Sequence, residues 1–287
     1  MFELQEEHRL VEQMFRQFAE KEILPKVEKL ESGEELPYDL MRKMMKQLMG
    51  GEDQVRNSLL RRVEKMEKAK RGESKEDESD KTEATGARDP LNISILIKEL
   101  SRVSPGFVMA WGASVGLFGQ AILNKGTPEQ IRKYAIPVMT MEKIGAWALT
   151  EPDAGSDAFG SMKTTARPKG DFYLLNGSKT FITNAPYADT FVVYAKVDRG
   201  QSPAERPVHA FIVEREMEGL STSKPFEKMG MKDSPTGQVF MDDVKVPVEN
   251  LLGGTEEKGM RAKLLEIGAG TTDINALTTA RLELGLI

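Results

Sequence analysis

Between residues 4 and 30 the apolar positions Leu10, Val11, Met14, Phe15 and Phe18 recur at three- and four-residue spacing among charged neighbours. That period predicts an amphipathic helix with one packed face. Pro25 is expected to kink or end it, because proline lacks an N–H and crowds the preceding turn. Leu36-Pro37-Tyr38 opens a second helix, in which Met41, Met44, Met45, Leu48 and Met49 form a stripe that stops at Gly50-Gly51. Core packing is the reading for such a stripe. From residue 52 to about 88 apolar positions thin out and both charge signs crowd in. Here we expect a helix to about Lys70 followed by a mobile loop, together a solvated insertion, since this composition buries too little apolar area to offset chain entropy. Pro90 then starts a helix carrying Leu91, Ile93, Ile95, Leu96, Ile97 and Leu100. Residues 105–127 are apolar nearly all round and rich in Gly, Ala and Ser, which suits a buried helix that neighbours approach closely. Thr127-Pro128-Glu129-Gln130 reads as a capping box.

After residue 140 the period shortens to that of strands. Tyr173-Leu174-Leu175 and Lys179 to Thr183 flank Asn176-Gly177, which predicts a hairpin with a type I′ turn. Further strands are expected at Thr190 to Val197, Val208 to Glu214 and Gln238 to Val246, with turns at Arg199-Gly200 and Met241-Asp242-Asp243.

The composition narrows the chemistry. At 287 residues the chain accommodates two domains with cores. A net charge of −5 argues against nucleic-acid binding and for a soluble, cytoplasmic protein. Cysteine is absent, which excludes disulfides, thiol catalysis and thiolate-held metals. With His8 and His209 alone, a histidine metal site or a Ser-His-Asp triad is poorly supported; each is expected to be an ordinary surface or partly buried residue, and no metal is expected. No apolar run is read as long enough to cross a membrane, and the charged start Met1-Phe2-Glu3-Leu4 is not a signal peptide. Demanding redox chemistry must then come from an organic cofactor.

The candidate site is Ala146 to Asn184. Two strand-like runs each end in a threonine, and the first feeds a small-residue loop with Gly155 and Ser156 between acidic residues. Loops of this kind let backbone N–H groups approach a planar or phosphorylated ligand. The run Leu149-Thr150-Glu151-Pro152-Asp153-Ala154-Gly155-Ser156-Asp157, followed by Asn176-Gly177-Ser178-Lys179 and Phe181-Ile182-Thr183-Asn184, closely resembles the acyl-CoA dehydrogenase family. Lys228-Met229-Gly230-Met231-Lys232-Asp233-Ser234-Pro235-Thr236 and the run from Asp242 to Asn250 carry the resemblance further. It implies an α+β fold: an N-terminal helical domain (1–139, with the charged insertion at about 52–88), an antiparallel β-barrel-like middle domain (140–252), and a short residual C-terminal helix (253–287). It also implies FAD as cofactor, an acyl-CoA thioester oxidised to 2-enoyl-CoA as the reaction, and an electron-transfer flavoprotein as the reoxidising partner. By the same resemblance, Trp147 and Leu149 lie beside the flavin and Thr150 bonds its pyrimidine edge. Gly155 and Ser156 contact the FAD pyrophosphate or the pantetheine of CoA. Phe181 stands where relatives usually carry tryptophan, and Thr183 sits near the hydride-accepting nitrogen.

The resemblance breaks near the end. In relatives, Leu251-Leu252-Gly253 and Lys258-Gly259-Met260 introduce a four-helix bundle that covers the flavin and builds an oligomer, yet here 27 residues follow Met260. The run from Arg261 to Ile274 looks like the end of that bundle, which places a seam near residues 260–263; the alternative is a short replacement helix evolved in place. Ala269 stands where many relatives carry the base glutamate, and Glu266 lies one turn earlier, so no catalytic residue is assigned. A shortened third domain predicts loose FAD binding and weak or absent activity. The second reading is a non-catalytic acyl-CoA-binding or assembly module of the same origin. Acyl chain length stays open, because the loop that would line its pocket is unrecognisable here.

Overall fold

The computed structural model describes residues 5–73 and 90–256. The first amphipathic stretch forms α1 (Glu6–Phe18), which buries Phe15 and Phe18 against α5 (Pro90–Ser101) and leaves Leu10 and Met14 exposed. Leu10 and Met14 therefore fall outside the packed arc that the spacing predicted. Pro25 does not break the winding. The chain widens into a π turn over Ala19–Ile23, tightens into a 3₁₀ turn over Leu24–Lys26, and resumes as α2 (Val27–Ser32). These changes of pitch absorb the missing proline N–H. In α3 (Tyr38–Leu48), Met41, Met44 and Met45 are fully buried.

The charged stretch after residue 51 is more integrated than its composition implied. Helix α4 (Gly51–Lys70) buries Leu59 and Val63 completely, and Arg62 Nη2 donates to the Leu123 carbonyl at 2.7 Å. Val55, Leu60 and Met66 pack against the same core half-buried, so a narrow apolar stripe and one buried arginine seat a helix whose remaining faces are charged. The expected loop up to residue 88 lies largely outside the described residues.

Helix α6 (Pro105–Lys125) is continuous, with a π-wound middle at Gly112–Gly119, and is long and apolar enough by composition to cross a membrane. This corrects the expectation that no apolar run attains that length. Its surroundings are protein: 61% of its apolar window is buried. Gly145 N donates to Ser114 Oγ at 2.9 Å, and a Cβ on Gly145 would sit 2.5 Å from the Phe118 ring. The capping box forms as read, with Gln130 N on Thr127 Oγ1 and Thr127 N on Gln130 Oε1.

The remaining strands are β1 (Gly145–Ala148), β2 (Thr165–Lys169), β3 (Phe172–Thr183), β4 (Thr190–Val197), β5 (Val208–Glu214), β6 (Leu220–Thr222) and β7 (Thr236–Pro247). They make one curled sheet, mixed rather than purely antiparallel. Along one edge β4 pairs with β5; along the other it pairs in parallel first with β1 and then with β2. Every residue of β4 is buried, as its unbroken apolar run requires.

Two expected turns are not turns. Asn176-Gly177 lies inside β3, and the chain reverses instead at Gly170, whose φ is +71°. Asp242 and Asp243 lie inside β7. The two sites face each other across a bulge: Asn176 Nδ2 donates to Asp243 Oδ1 at 2.7 Å, and Asp243 N donates to Asn176 Oδ1 at 3.0 Å. Residues that tolerate positive φ serve a bulge as well as a hairpin turn. The expected C-terminal helix, the seam at 260–263, Glu266 and Ala269 lie outside the described residues.

Candidate functional site

Strand β1 alternates buried Ala146 and Ala148 with half-buried Trp147, so Trp147 and Leu149 look out on the same half-open face. Trp147 packs on Tyr194 with ring centroids 4.9 Å apart. Past β1 the chain leaves the sheet, and Thr150 is sewn to β3. Thr180 N donates to the Thr150 carbonyl at 2.9 Å, and Thr150 Oγ1 donates to the Thr180 carbonyl at 2.6 Å. The hydroxyl proton of Thr150 is thereby committed, and what it retains toward a ligand is acceptor capacity.

Thr183 lies three residues further along the same strand, paired with Thr236 of β7. Between Thr180 and Thr183, Phe181 adopts φ +57° at a register shift and is 74% exposed, its ring edge-on to Phe226 at 5.7 Å. A bulky residue at positive φ with its ring in solvent is a strained arrangement that burial does not explain. The structure thus lays the stretch holding Trp147, Leu149 and Thr150 alongside the end of β3 that holds Phe181 and Thr183. Gly155 and Ser156 sit apart, exposed on the loop beyond a tight reversal in which Glu151 and Ala154 exchange backbone bonds. A Cβ on Gly155 would meet open space, and its φ is unremarkable, so the fold makes no demand for glycine there.

Sequence reasoning missed the groups that hold these pieces in place. Lys179 is fully buried and its Nζ donates to the Leu149 carbonyl at 3.0 Å and to Glu151 Oε1 at 2.8 Å. Glu151, buried too, accepts from Lys163 N at 2.6 Å and Thr164 N at 3.0 Å. Burial pulls the Lys179 ammonium down to about 8, against the opposing pull of Glu151. Burial acts on Glu151 as well, but the Lys179 charge and the backbone donors outweigh it and hold the carboxylate below its usual range. Asn184, at φ +68°, accepts from Tyr38 Oη at 3.1 Å and donates to the Ala110 carbonyl at 2.8 Å, which fastens α3 and α6 to the end of β3. Asp233 caps α6, accepting from Phe107 N at 3.1 Å and from Ser104 Oγ. Half-buried Lys228 donates to the Ser234 carbonyl at 2.6 Å and to Thr236 Oγ1 at 3.1 Å, beside the strand position that pairs with Thr183. Glu151, Lys179 and Asn184 stand in the motif itself, but nothing in a linear pattern says that such charged or polar side chains are buried.

His8 and His209 are both almost fully buried, deeper than the surface or partly buried placement expected. His8 Nδ1 accepts from Gln5 N as part of the α1 cap, and burial lowers the basicity of His209. No group of His, Asp or Glu disposed to hold a metal occurs among the described residues.

A helical domain seated on a curled mixed sheet, with Thr150, Thr183 and the exposed ring of Phe181 near the C-terminal end of β3, defines an α+β fold. The family model described as acyl-CoA dehydrogenase, N-terminal domain, matches residues 5–51 and 81–142, and that for the middle domain matches residues 146–244. The chain belongs to the acyl-CoA dehydrogenase family. It is 35% identical over 276 residues to a short-chain-specific acyl-CoA dehydrogenase of Clostridium acetobutylicum, covering 96% of this chain and 65% of that one. It is 38% identical over 265 residues to a subunit of the caffeyl-CoA reductase-Etf complex of Acetobacterium woodii, covering 92% and 62%. A crystal structure of an acyl-CoA dehydrogenase complexed with FAD from Bacillus anthracis superposes with a TM-score of 0.68 at 34% identity, covering 93% of this chain and 41% of that one. The chain therefore spans under two thirds of the length of these relatives, and residues 52–80 fall between the matched segments.

Proposed function

We propose that this chain binds FAD and an acyl-CoA thioester and works as an oxidoreductase on the Cα–Cβ bond of the acyl group, yielding the 2-enoyl-CoA, with an electron-transfer flavoprotein as its electron acceptor. The observation that carries the reading is the convergence of Thr150, Phe181 and Thr183 at one end of β3, with Phe181 held strained and exposed. The residues fit a flavin. Trp147, Leu149 and Phe181 offer apolar surface to a ring, and Thr150 offers an acceptor to a ring N–H. Among the described residues the Thr183 hydroxyl has no partner, so it is free to donate. Gly155 leaves room beside the loop backbone, where a phosphate or pantetheine is served by N–H donors and by the Ser156 hydroxyl. When bound, the flavin supplies the hydride acceptor that the protein's own side chains lack. These side chains bind and orient it; the group that removes the α proton is not assigned among them. The names of the relatives support both cofactor and substrate class, and one of them names an Etf complex.

The test is titration of the purified chain with FAD, followed by anaerobic addition of acyl-CoA thioesters of graded length. Saturable quenching of flavin fluorescence and bleaching of its visible band by one chain-length class is the expected result. Absence of saturable FAD binding refutes the reading, and acyl-CoA binding without bleaching replaces it with the non-catalytic one.

A further inference from the structure

Strands β1 and β2 pair in succession with the same edge of β4, and the loop of residues 149–164 erupts between them. Such an excursion interrupts the ladder, and its two ends need a fastening that the sheet does not provide. Lys179 and Glu151 occupy that place. The ammonium holds the Leu149 carbonyl at the loop's entry, while the carboxylate collects the amides of Lys163 and Thr164 at its exit. Thr150 lies between the two points held, bonded to Thr180 through both its carbonyl and its hydroxyl.

On the flavin reading above, we propose that Lys179 is a positioning residue: paired with Glu151, it fixes the main chain on both sides of Thr150 and so sets the rim on which the cofactor rests, without touching it. An ion pair taken out of water gives little net stability over an apolar filling of the same volume, so its contribution here is directional. Lysine delivers several hydrogen bonds from one buried atom, and an apolar side chain at position 179 would leave both the Leu149 carbonyl and Glu151 without this donor. The charges nearest on the loop, Lys163 and Asp153, pair with each other in solvent and do not compete for the clamp.

Two variants separate this role from folding. Lys179→Met strands a buried carboxylate and is expected to melt early. The double variant Lys179→Met with Glu151→Gln is uncharged, and is expected to keep its far-ultraviolet dichroism and a single melt. In the double variant without cofactor, hydrogen exchange at residues 149–156 should accelerate by about tenfold or more while β4 and β5 stay protected. FAD affinity should fall by about tenfold or more, and the flavin bound at saturation should show visible bands shifted toward those of free FAD. Exchange at the level of the parent, or faster exchange with unchanged FAD affinity and spectrum, overturns the proposal. A parent chain that binds no FAD refutes the flavin reading instead, and the exchange measurement then still decides whether the clamp exists.

Discussion

Replacement of Asn184 by alanine is the sharpest test of how the two domains are joined. The residue is fully buried, and its side chain reaches Tyr38 of α3 and the Ala110 carbonyl of α6. Its φ of +68° lies in the left-handed region, which asparagine tolerates and alanine visits at a cost of about 1 kcal/mol. Loss of its carbonyl strands the buried Tyr38 hydroxyl, a desolvation penalty of about 1–3 kcal/mol, and loss of its amide removes a further bond of about 1 kcal/mol. The effects together give about 3–5 kcal/mol, a large part of the stability of an ordinary domain. The assay is urea unfolding followed by circular dichroism, run as a double-mutant cycle with Tyr38→Phe. Once the tyrosine hydroxyl is gone, the asparagine has less to hold, so the two substitutions should fall short of additivity by about 1 kcal/mol. A variant within about 0.5 kcal/mol of the parent, or strict additivity, would refute the assignment of Asn184 as the tie between β3 and the helices.

Three other outcomes follow from the same coordinates. Gly177→Ala should destabilise by about 2–4 kcal/mol in the same unfolding assay, because φ is +140° and the new Cβ would meet Thr164 Oγ1 at 2.6 Å. Gly155→Ala meets nothing and should leave the melting curve within about 0.5 kcal/mol of the parent; fluorescence titration should nonetheless show weakened binding of FAD or acyl-CoA. Glu99, wholly buried, is held at about 2 by hydrogen bonds from Arg16, which outweigh the burial that pushes it up from its usual 4.5. Its folded form therefore binds fewer protons than its unfolded form, so its stabilisation is complete above about pH 4.5 and disappears as the pH falls toward 2. Compared with the parent, Glu99→Gln should be less stable at neutral pH and lose less stability over that acid range, as read from parallel unfolding curves.

Periodicity determined a good deal of this protein. The methionine stripe of α3, the capping box at Thr127, and strands β4 and β5 are local matters of 3.6- or 2-residue repeats and short-range hydrogen bonds, and they stand in the structure where the pattern put them. The family, too, was legible, because its motif is a run of adjacent residues. What tertiary structure decided is everything that depends on partners distant in the chain. Asn176-Gly177 makes a bulge and not a turn because Asp243, 67 residues away, completes its hydrogen bonds. Helix α4 joins the core through a narrow stripe of apolar residues, Leu59 and Val63 foremost, whose weight a composition average hides. Sheet polarity escaped the sequence because β1 returns beside β4 across more than forty residues, and no local period encodes parallel pairing. Lys179 and Glu151 are indistinguishable from solvated charges until the fold removes water from both, and the free energy of burial is a property of the surroundings, which only the assembled chain defines.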